Sequence, residues 1–295
     1  VGGSGKRFWP LSTTTNPKQF IDFFGKGSLI RLTVNRLKKK YPLESIFLVT
    51  NKKYEKLIKE SIPEISYSNI IYEPSPKNTA PAIALAVKKI YKKYPESIMR
   101  VFPADHYIKG ANFYSTLKLA DSFINKNPHS LLTIGIEPKW PSTGYGYISF
   151  QNNIERKIHK VSKFIEKPNK VKAKRLIKSK ALWNSGIFIW KTKTIMEKLK
   201  NHLPSLYKLV LSDWESIDPI SIDFGLMEKT KNIFVISARF EWNDFGTWDA
   251  IYDFSNKDEN LNSKDKNLIA FKSKNNFVFS PNRKTIICDV EGLII

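Results

Sequence analysis

At 295 residues with 41% hydrophobic content, the chain is long enough to build one large α/β core with an appendage. No apolar run reaches membrane-spanning length, the start is not that of a signal peptide, and Cys288 is the single cysteine, so a soluble cytoplasmic protein is expected, with no membrane partner, disulfide or Cys-rich metal site. The net charge of +22 is spread along the chain, with short clusters at Lys38-Lys39-Lys40 and Lys88-Lys89, which favours a solvated basic surface over a nucleic-acid footprint while still attracting anionic substrates.

The first stretch is glycine-rich: Gly2, Gly3 and Gly5 surround Ser4, and Lys6 and Arg7 follow. Glycines there allow close approach of backbone to a bulky anion, and successive amides can form a nest for phosphate oxygens. For the glycines alone, a tight turn is the favoured reading. A P-loop is excluded by the spacing and by the absence of a hydroxyl after Gly5-Lys6. A dinucleotide loop is excluded because Phe8 stands where its third glycine belongs. Such a loop normally follows a buried strand, and only Val1 precedes it, so the N-terminus is expected to be incomplete.

Downstream, Ser28 caps an apolar-periodic helix to Lys40. Strands are predicted over 46–50, 69–73, 97–102 and 131–136, alternating with helices over 52–61, 79–94 and 113–126. That alternation predicts βαβ units in a Rossmann-like, mainly parallel mixed sheet, with ligands at the carboxyl ends of the strands. Charged residues just past strands therefore matter most. Asp105, in Pro103-Ala104-Asp105-His106, follows the strand ending at Phe102; a Mg²⁺ ligand and a turn-capping Asp are equally good readings of position alone. Asn78 or Thr79 caps the helix in which Pro81 occupies the first turn. Residues 142–148 alternate around Gly144 and Gly146 as in a hairpin or flap. The strand ending at Ile165 exits into Glu166-Lys167-Pro168, and a basic helix spans 169–179. Asn184 opens a core strand and offers a donor and an acceptor. A helix covers 192–203, the segment 221–229 reads as capped by Ser221 or Asp223, and a buried strand covers 233–238. Asp244 lies in an aromatic turn, Glu241-Trp242-Asn243-Asp244-Phe245. Residues 256–267 are polar and read as a linker. Short strands are expected at 268–271, 277–279, 285–288 and 293–295.

Taken together, the Gly-Gly-x-Gly-x-Arg loop, Trp9-Pro10-Leu11-Ser12, Pro17-Lys18-Gln19-Phe20, Asn78-Thr79-Ala80-Pro81, Pro-Ala-Asp-His, Glu166-Lys167-Pro168 and Asn184-Ser185-Gly186 resemble the sugar-1-phosphate nucleotidyltransferases. Within them the chain resembles the mannose-1-phosphate guanylyltransferases, nearly continuously over residues 1–255. The resemblance implies an enzyme that uses GTP and mannose 1-phosphate, with Mg²⁺ held by Asp105 and Asp244. Arg7, Lys18 and Lys167 become the catalytic cations. Gly2, Gly3, Ser4, Gly5, Lys6, Asn78 and Thr79 become nucleotide-binding, and Gly146, Glu166 and Asn184 sugar-binding. Lys6 departs from the family pattern, which has a small hydroxyl residue there. Residues 268–295 resemble the opening of the family's C-terminal left-handed β-helix, and 256–267 then link it to a nucleotidyltransferase domain over 1–255. Another hexose-1-phosphate nucleotidyltransferase and a catalytically silent sugar-nucleotide sensor are the alternatives. A homo-oligomer remains open.

Overall fold

The Ser28 hydroxyl accepts a hydrogen bond from the backbone N–H of Arg31 at 3.4 Å and starts helix α1 (Leu29–Lys38), which buries Leu29, Ile30, Thr33, Val34 and Leu37 on one face. The i, i+4 spacing of those residues is what directs the helix onto the core. This computed structural model describes residues 8–155 and 157–295; the glycine-rich loop, with Gly2, Gly3, Ser4, Gly5, Lys6 and Arg7, lies outside the described residues.

Strands β1 (Leu48–Asn51) and β2 (Ile70–Glu73) pair in parallel, joined through helix α2 (Glu55–Ser61). Helix α3 (Thr79–Tyr91) then packs Ala80, Ile83, Ala84 and Val87 inward. Strand β3 (Ile98–Val101) ends just before the Pro103–His106 loop, which leads into the short β4 (Tyr107–Lys109) and helix α4 (Asn112–Lys126). Among the described residues the large sheet has six strands: β3, then β8 (Leu182–Lys191), β5 (Leu131–Ile136), β9 (Ile233–Ala238), β7 (Ile158–Ile165) and β6 (Tyr147–Glu155), with β6 also pairing β8. All six residues of β5 are buried, including Thr133, whose hydroxyl donates to the Ile187 carbonyl at 3.1 Å.

The expectation of a mainly parallel sheet is corrected here. In this sheet only β5 and β9 run parallel, while β3–β8, β5–β8, β6–β7, β6–β8 and β7–β9 are antiparallel. The β6–β7 hairpin and the long β8 intervene where a βαβ crossover would have kept the direction. A mixed α/β sheet results. Helices α5 (Lys170–Lys178), α6 (Thr192–His202) and α7 (Pro204–Leu209) lie between the later strands.

Strand β10 (Glu241–Asn243) pairs antiparallel with β4, and helix α8 (Trp248–Phe254) follows. Beyond it, residues 256–267 are drawn into packing by buried Asn262 and Ser263 and by a bridge between Lys257 and Ser263. Strands β11 (Leu268–Phe271) and β12 (Thr285–Cys288) pair in parallel. Bridges Lys274–Glu291 and Phe277–Ile294 keep the same 17-residue offset, so the segment coils in parallel rungs. Asn276, fully buried, donates to Asn262 Oδ1 at 2.9 Å and ties successive rungs. Phe277 joins Phe8, Phe23, Phe245 and Ile251 in one cluster, seating the coil beneath the loop that carries Asp244. Among the described residues, no helix is long and apolar enough to cross a membrane.

Candidate active site

Two short strands bring the distant carboxylates together. In the antiparallel pairing of β4 and β10, Asn243 lies opposite Tyr107. The next residue of one strand and the preceding residues of the other, Asp244 and Asp105-His106, therefore share one end of the ladder. Lys18, in a short 3₁₀ turn over Lys18–Phe20, reaches into that corner. Its Nζ lies 2.7 Å from Asp105 Oδ2 and donates to the backbone carbonyl oxygens of Asp244 and Phe245. The Lys18 side chain is 12% exposed and that of Asp105 34%, so water reaches the pair mainly from the carboxylate side.

His106 supports the corner rather than forming part of it. Its Nδ1 accepts from the indole N–H of Trp242 at 3.3 Å, and its Nε2 lies 3.9 Å from Asp105 Oδ1. Burial pushes the imidazole below its ordinary pKa against the opposing pull of Asp105, which favours the neutral ring. Burial by itself would raise the Asp105 carboxyl; the charge and hydrogen bond of the Lys18 ammonium lead the influences that outweigh it and hold the carboxyl below its usual value. Burial, followed by the charge of Asp244, pushes the Tyr145 hydroxyl up, so Tyr145 keeps the proton it shares with that carboxylate.

A second cluster forms where β6 meets both β7 and β8. Tyr147 is paired with Ile165 and with Trp183. One residue outward on all three strands stand Gly146, Glu166 and Asn184. The backbone N–H of Asn184 donates to the Gly146 carbonyl at 2.8 Å. A Cβ on Gly146 would sit 2.8 Å from Glu166 Oε2, so glycine is what lets the carboxylate lie there. Lys167, with positive φ, turns its ammonium to 3.2 Å from Glu166 Oε1, and both side chains are more than half exposed.

The two clusters are neighbours. Gly186, at positive φ in β8, has Pro103 and His106 against the position a Cβ would take, at 3.2 and 3.9 Å. Tyr145 packs between Trp183 and Trp242, with ring centroids 5.0 Å away on either side. Asn78, Thr79, Asp105, Gly186 and Asp223 line one cavity of about 1110 Å³, whose apolar portion continues between the edges of β1 and β3.

The structure thus brings together Lys18, Asp105 and Asp244 at one end, and Gly146, Glu166, Lys167 and Asn184 at the other. Asn78 caps α3, its Oδ1 accepting from the Thr79 N–H at 2.8 Å, while the Thr79 hydroxyl accepts from the Ile222 N–H at 2.8 Å. Asn184 differs from expectation, for its donor and acceptor are not both free. Its Nδ2 donates to Asp223 Oδ1 at 2.7 Å and its Oδ1 accepts from the Gly186 N–H at 3.1 Å. Asp223 is a site neighbour that reads from sequence as a cap; the capping is done by Ser221, whose hydroxyl accepts from the Phe224 N–H. Gln19 is likewise absent from the sequence expectation; it is buried, lines the cavity, and its Nε2 has no hydrogen-bond partner among the described residues.

The donor set fits a hard divalent cation. Mg²⁺ is commonly held by one or two carboxylates together with phosphate oxygens, and the corner supplies the Asp105 carboxylate, already receiving an ammonium, with Asp244 close by, its backbone carbonyl accepting from the same ammonium. Among the described residues, no group of three or more His, Cys, Asp or Glu could hold a metal unaided. Any such ion would therefore complete its shell with oxygens of substrate or water.

The family model for nucleotidyl transferase matches residues 1–261. The chain is 31% identical over 316 residues to a mannose-1-phosphate guanylyltransferase of Sinorhizobium fredii, covering 100% of the chain and 62% of that relative. It is 32% identical over 325 residues to mannose-1-phosphate guanylyltransferase 2 of Escherichia coli O157:H7, covering 100% of the chain and 67% of that relative. The chain therefore spans roughly two thirds of the length of these curated relatives. A crystal structure from Thermus thermophilus, described as mannose-1-phosphate geranyltransferase, superimposes with a TM-score of 0.88 at 27% identity, covering 99% of this chain and 89% of that one.

Proposed function

The chain belongs to the nucleotidyl transferase family and, within it, to the mannose-1-phosphate guanylyltransferases, and from that premise we propose that it transfers a guanylyl group from GTP to α-D-mannose 1-phosphate. The products are GDP-mannose and pyrophosphate. An oxygen of the sugar phosphate forms a bond to the α-phosphorus of GTP while the bond from that phosphorus to the bridging oxygen breaks, and pyrophosphate leaves with the electron pair. The sugar phosphate is already an anionic nucleophile, so no covalent protein intermediate is needed. Catalysis reduces to alignment and charge neutralisation.

The observation that carries the reading is the adjacency of a cationic, dicarboxylate corner to a cluster of hydroxyl-binding groups on the two sides of Gly186. Lys18 neutralises charge on the nucleotide phosphates, with Arg7 assigned beside it from sequence. Asp105 and Asp244 hold Mg²⁺, which supplies electrostatic stabilisation of the phosphates when bound. Lys167 holds the incoming sugar phosphate. Glu166 and the remaining N–H of Asn184 take hexose hydroxyls, and Gly146 gives the ring room. Asn78 and Thr79 border the nucleotide. The parallel rungs from residue 268 onward support reading that segment as the opening of a left-handed β-helix.

Pyrophosphate release from the purified protein, measured across four nucleoside triphosphates and with mannose, glucose and galactose 1-phosphates, tests the proposal. The highest kcat/KM is expected for GTP with mannose 1-phosphate. A higher value for any other pair overturns it.

A further inference from the structure

We propose that Asp223 is a positioning residue for the sugar end of this site, acting through Asn184; the inference rests on the guanylyl-transfer reading. Asp223 opens a single π-helical turn, Asp223–Met227, a local irregularity common near functional sites. Its side chain caps no helix, because Ser221 does that, so capping leaves its half-buried position unexplained. It is spent instead on Asn184.

A carboxylate only accepts and a backbone N–H only donates. With Asp223 Oδ1 on one side and the Gly186 N–H on the other, the Asn184 amide has one orientation that satisfies both. One N–H of Asn184 is left over. The same residue anchors Gly146 through its backbone N–H, and Gly146 is where Glu166 rests. Asp223 thus fixes which polar atom Asn184 offers beside the Glu166 carboxylate.

The other side of Asp223 is tied to the nucleotide-proximal segment. Ile220 N–H donates to the Lys77 carbonyl at 3.2 Å, Ala80 N–H to the Ile220 carbonyl at 3.0 Å, and Ile222 N–H to the Thr79 hydroxyl at 2.8 Å. These bonds hold the start of α3 and the Asp223 turn as one piece. Burial and the neighbouring Glu166 charge push the Asp223 carboxyl above its ordinary pKa, opposed by the Asn184 bond, in keeping with a group placed for its partner rather than for solvent.

The test compares wild type with Asp223→Ala, Asp223→Asn, Asn184→Ala and the double variant Asp223→Ala/Asn184→Ala. Steady-state kinetics give KM for mannose 1-phosphate and kcat, and calorimetry gives Kd for GTP and, separately, for mannose 1-phosphate. Loss of one hydrogen bond to a charged group should raise KM and Kd for mannose 1-phosphate about tenfold or more in Asp223→Ala. Asp223→Asn, which can still accept, should recover most of that loss. Kd for GTP should stay within about twofold of wild type, and the double variant should be no weaker than Asn184→Ala alone, as expected for groups acting as one unit. Additive losses in the double variant, unchanged sugar affinity, or equal loss of GTP affinity would each overturn the role of Asp223. A wild-type protein that binds mannose 1-phosphate but forms no GDP-mannose would overturn the guanylyl-transfer reading instead, with the calorimetric comparison still deciding the part played by Asp223.

Discussion

Replacing Lys18 by Met removes the ammonium that Asp105 now contacts at 2.7 Å while keeping most of the side-chain volume. Two unit charges about 4 Å apart interact by roughly 4 kcal/mol at an effective dielectric constant of about 20. Breaking a fully buried pair costs about 3–5 kcal/mol, and a surface pair about 0–1. Lys18 is 12% exposed but Asp105 is 34% exposed, so solvent screens part of the interaction. A cost of about 2–3 kcal/mol is expected between those limits, equivalent to a Tm lowered by about 4–12 °C in chelator. Mg²⁺ should then offset part of the deficit, because the variant leaves the Asp105 carboxylate without a competing ammonium. At ten times its Kd the ion would return about 1.4 kcal/mol. Thermal unfolding of both proteins, with chelator and across a Mg²⁺ series, reads this directly. Wild type should gain less from Mg²⁺ than the variant does. Equal stability in chelator, or an identical Mg²⁺ response, would refute the placement of Lys18 as the cation competing for this corner.

Asp105→Asn and Asp244→Asn should each lower kcat for guanylyl transfer by at least about a hundredfold, in line with loss of one preorganised electrostatic group, with unchanged circular dichroism; activity near wild type in saturating Mg²⁺ would remove them from the metal site. Gly146→Ala should raise KM for mannose 1-phosphate, since the new methyl would lie 2.8 Å from Glu166 Oε2, while Tm stays nearly constant because that carboxylate is the movable end of a side chain; an unchanged KM would show that Glu166 does not touch the sugar. Asn276→Ala should cost about 1–3 kcal/mol by leaving buried partners unsatisfied, read as a lower urea midpoint, because its amide bonds Asn262, Val290 and Leu293. Glu64 tests pH dependence. Burial raises its carboxyl, but hydrogen bonds from Lys38 and Arg31 prevail and bring it down to about 2. A depressed carboxyl stabilises above its unfolded value, near 4.3, and that contribution fades as pH falls towards 2. Glu64→Gln should therefore lower Tm at pH 7 and converge on wild type near pH 2; a constant gap would contradict the assignment.

The elements that sequence exposes best are those with long, unmixed patterns. The runs 131–136 and 233–238 form β5 and β9 with those same bounds, and Ser28 marks the start of α1. Strand direction was not legible, because an apolar run such as 187–190 is the same string whichever way it enters a sheet. Strands β4 and β10 span three residues each, too few for a period, yet their pairing is what unites Asp105 with Asp244. The family resemblance therefore names both carboxylates without giving the geometry that joins them. The polar stretch 256–267 resembles a linker because its buried groups are Asn262 and Ser263, whose partners lie a rung away. Asp223 was hidden for a related reason. A carboxylate three residues into a helical segment looks like a cap until Asn184, on another strand, is seen to donate to it.

Phosphorus NMR of the protein incubated with GTP, mannose 1-phosphate and Mg²⁺ tests the central claim most directly. Guanylyl transfer predicts that the mannose 1-phosphate resonance is consumed together with the three resonances of GTP. The paired diphosphate signals of GDP-mannose should appear with an equal amount of pyrophosphate. Production of GDP and inorganic phosphate with mannose 1-phosphate left intact would contradict the account, as would consumption of another sugar phosphate in its place.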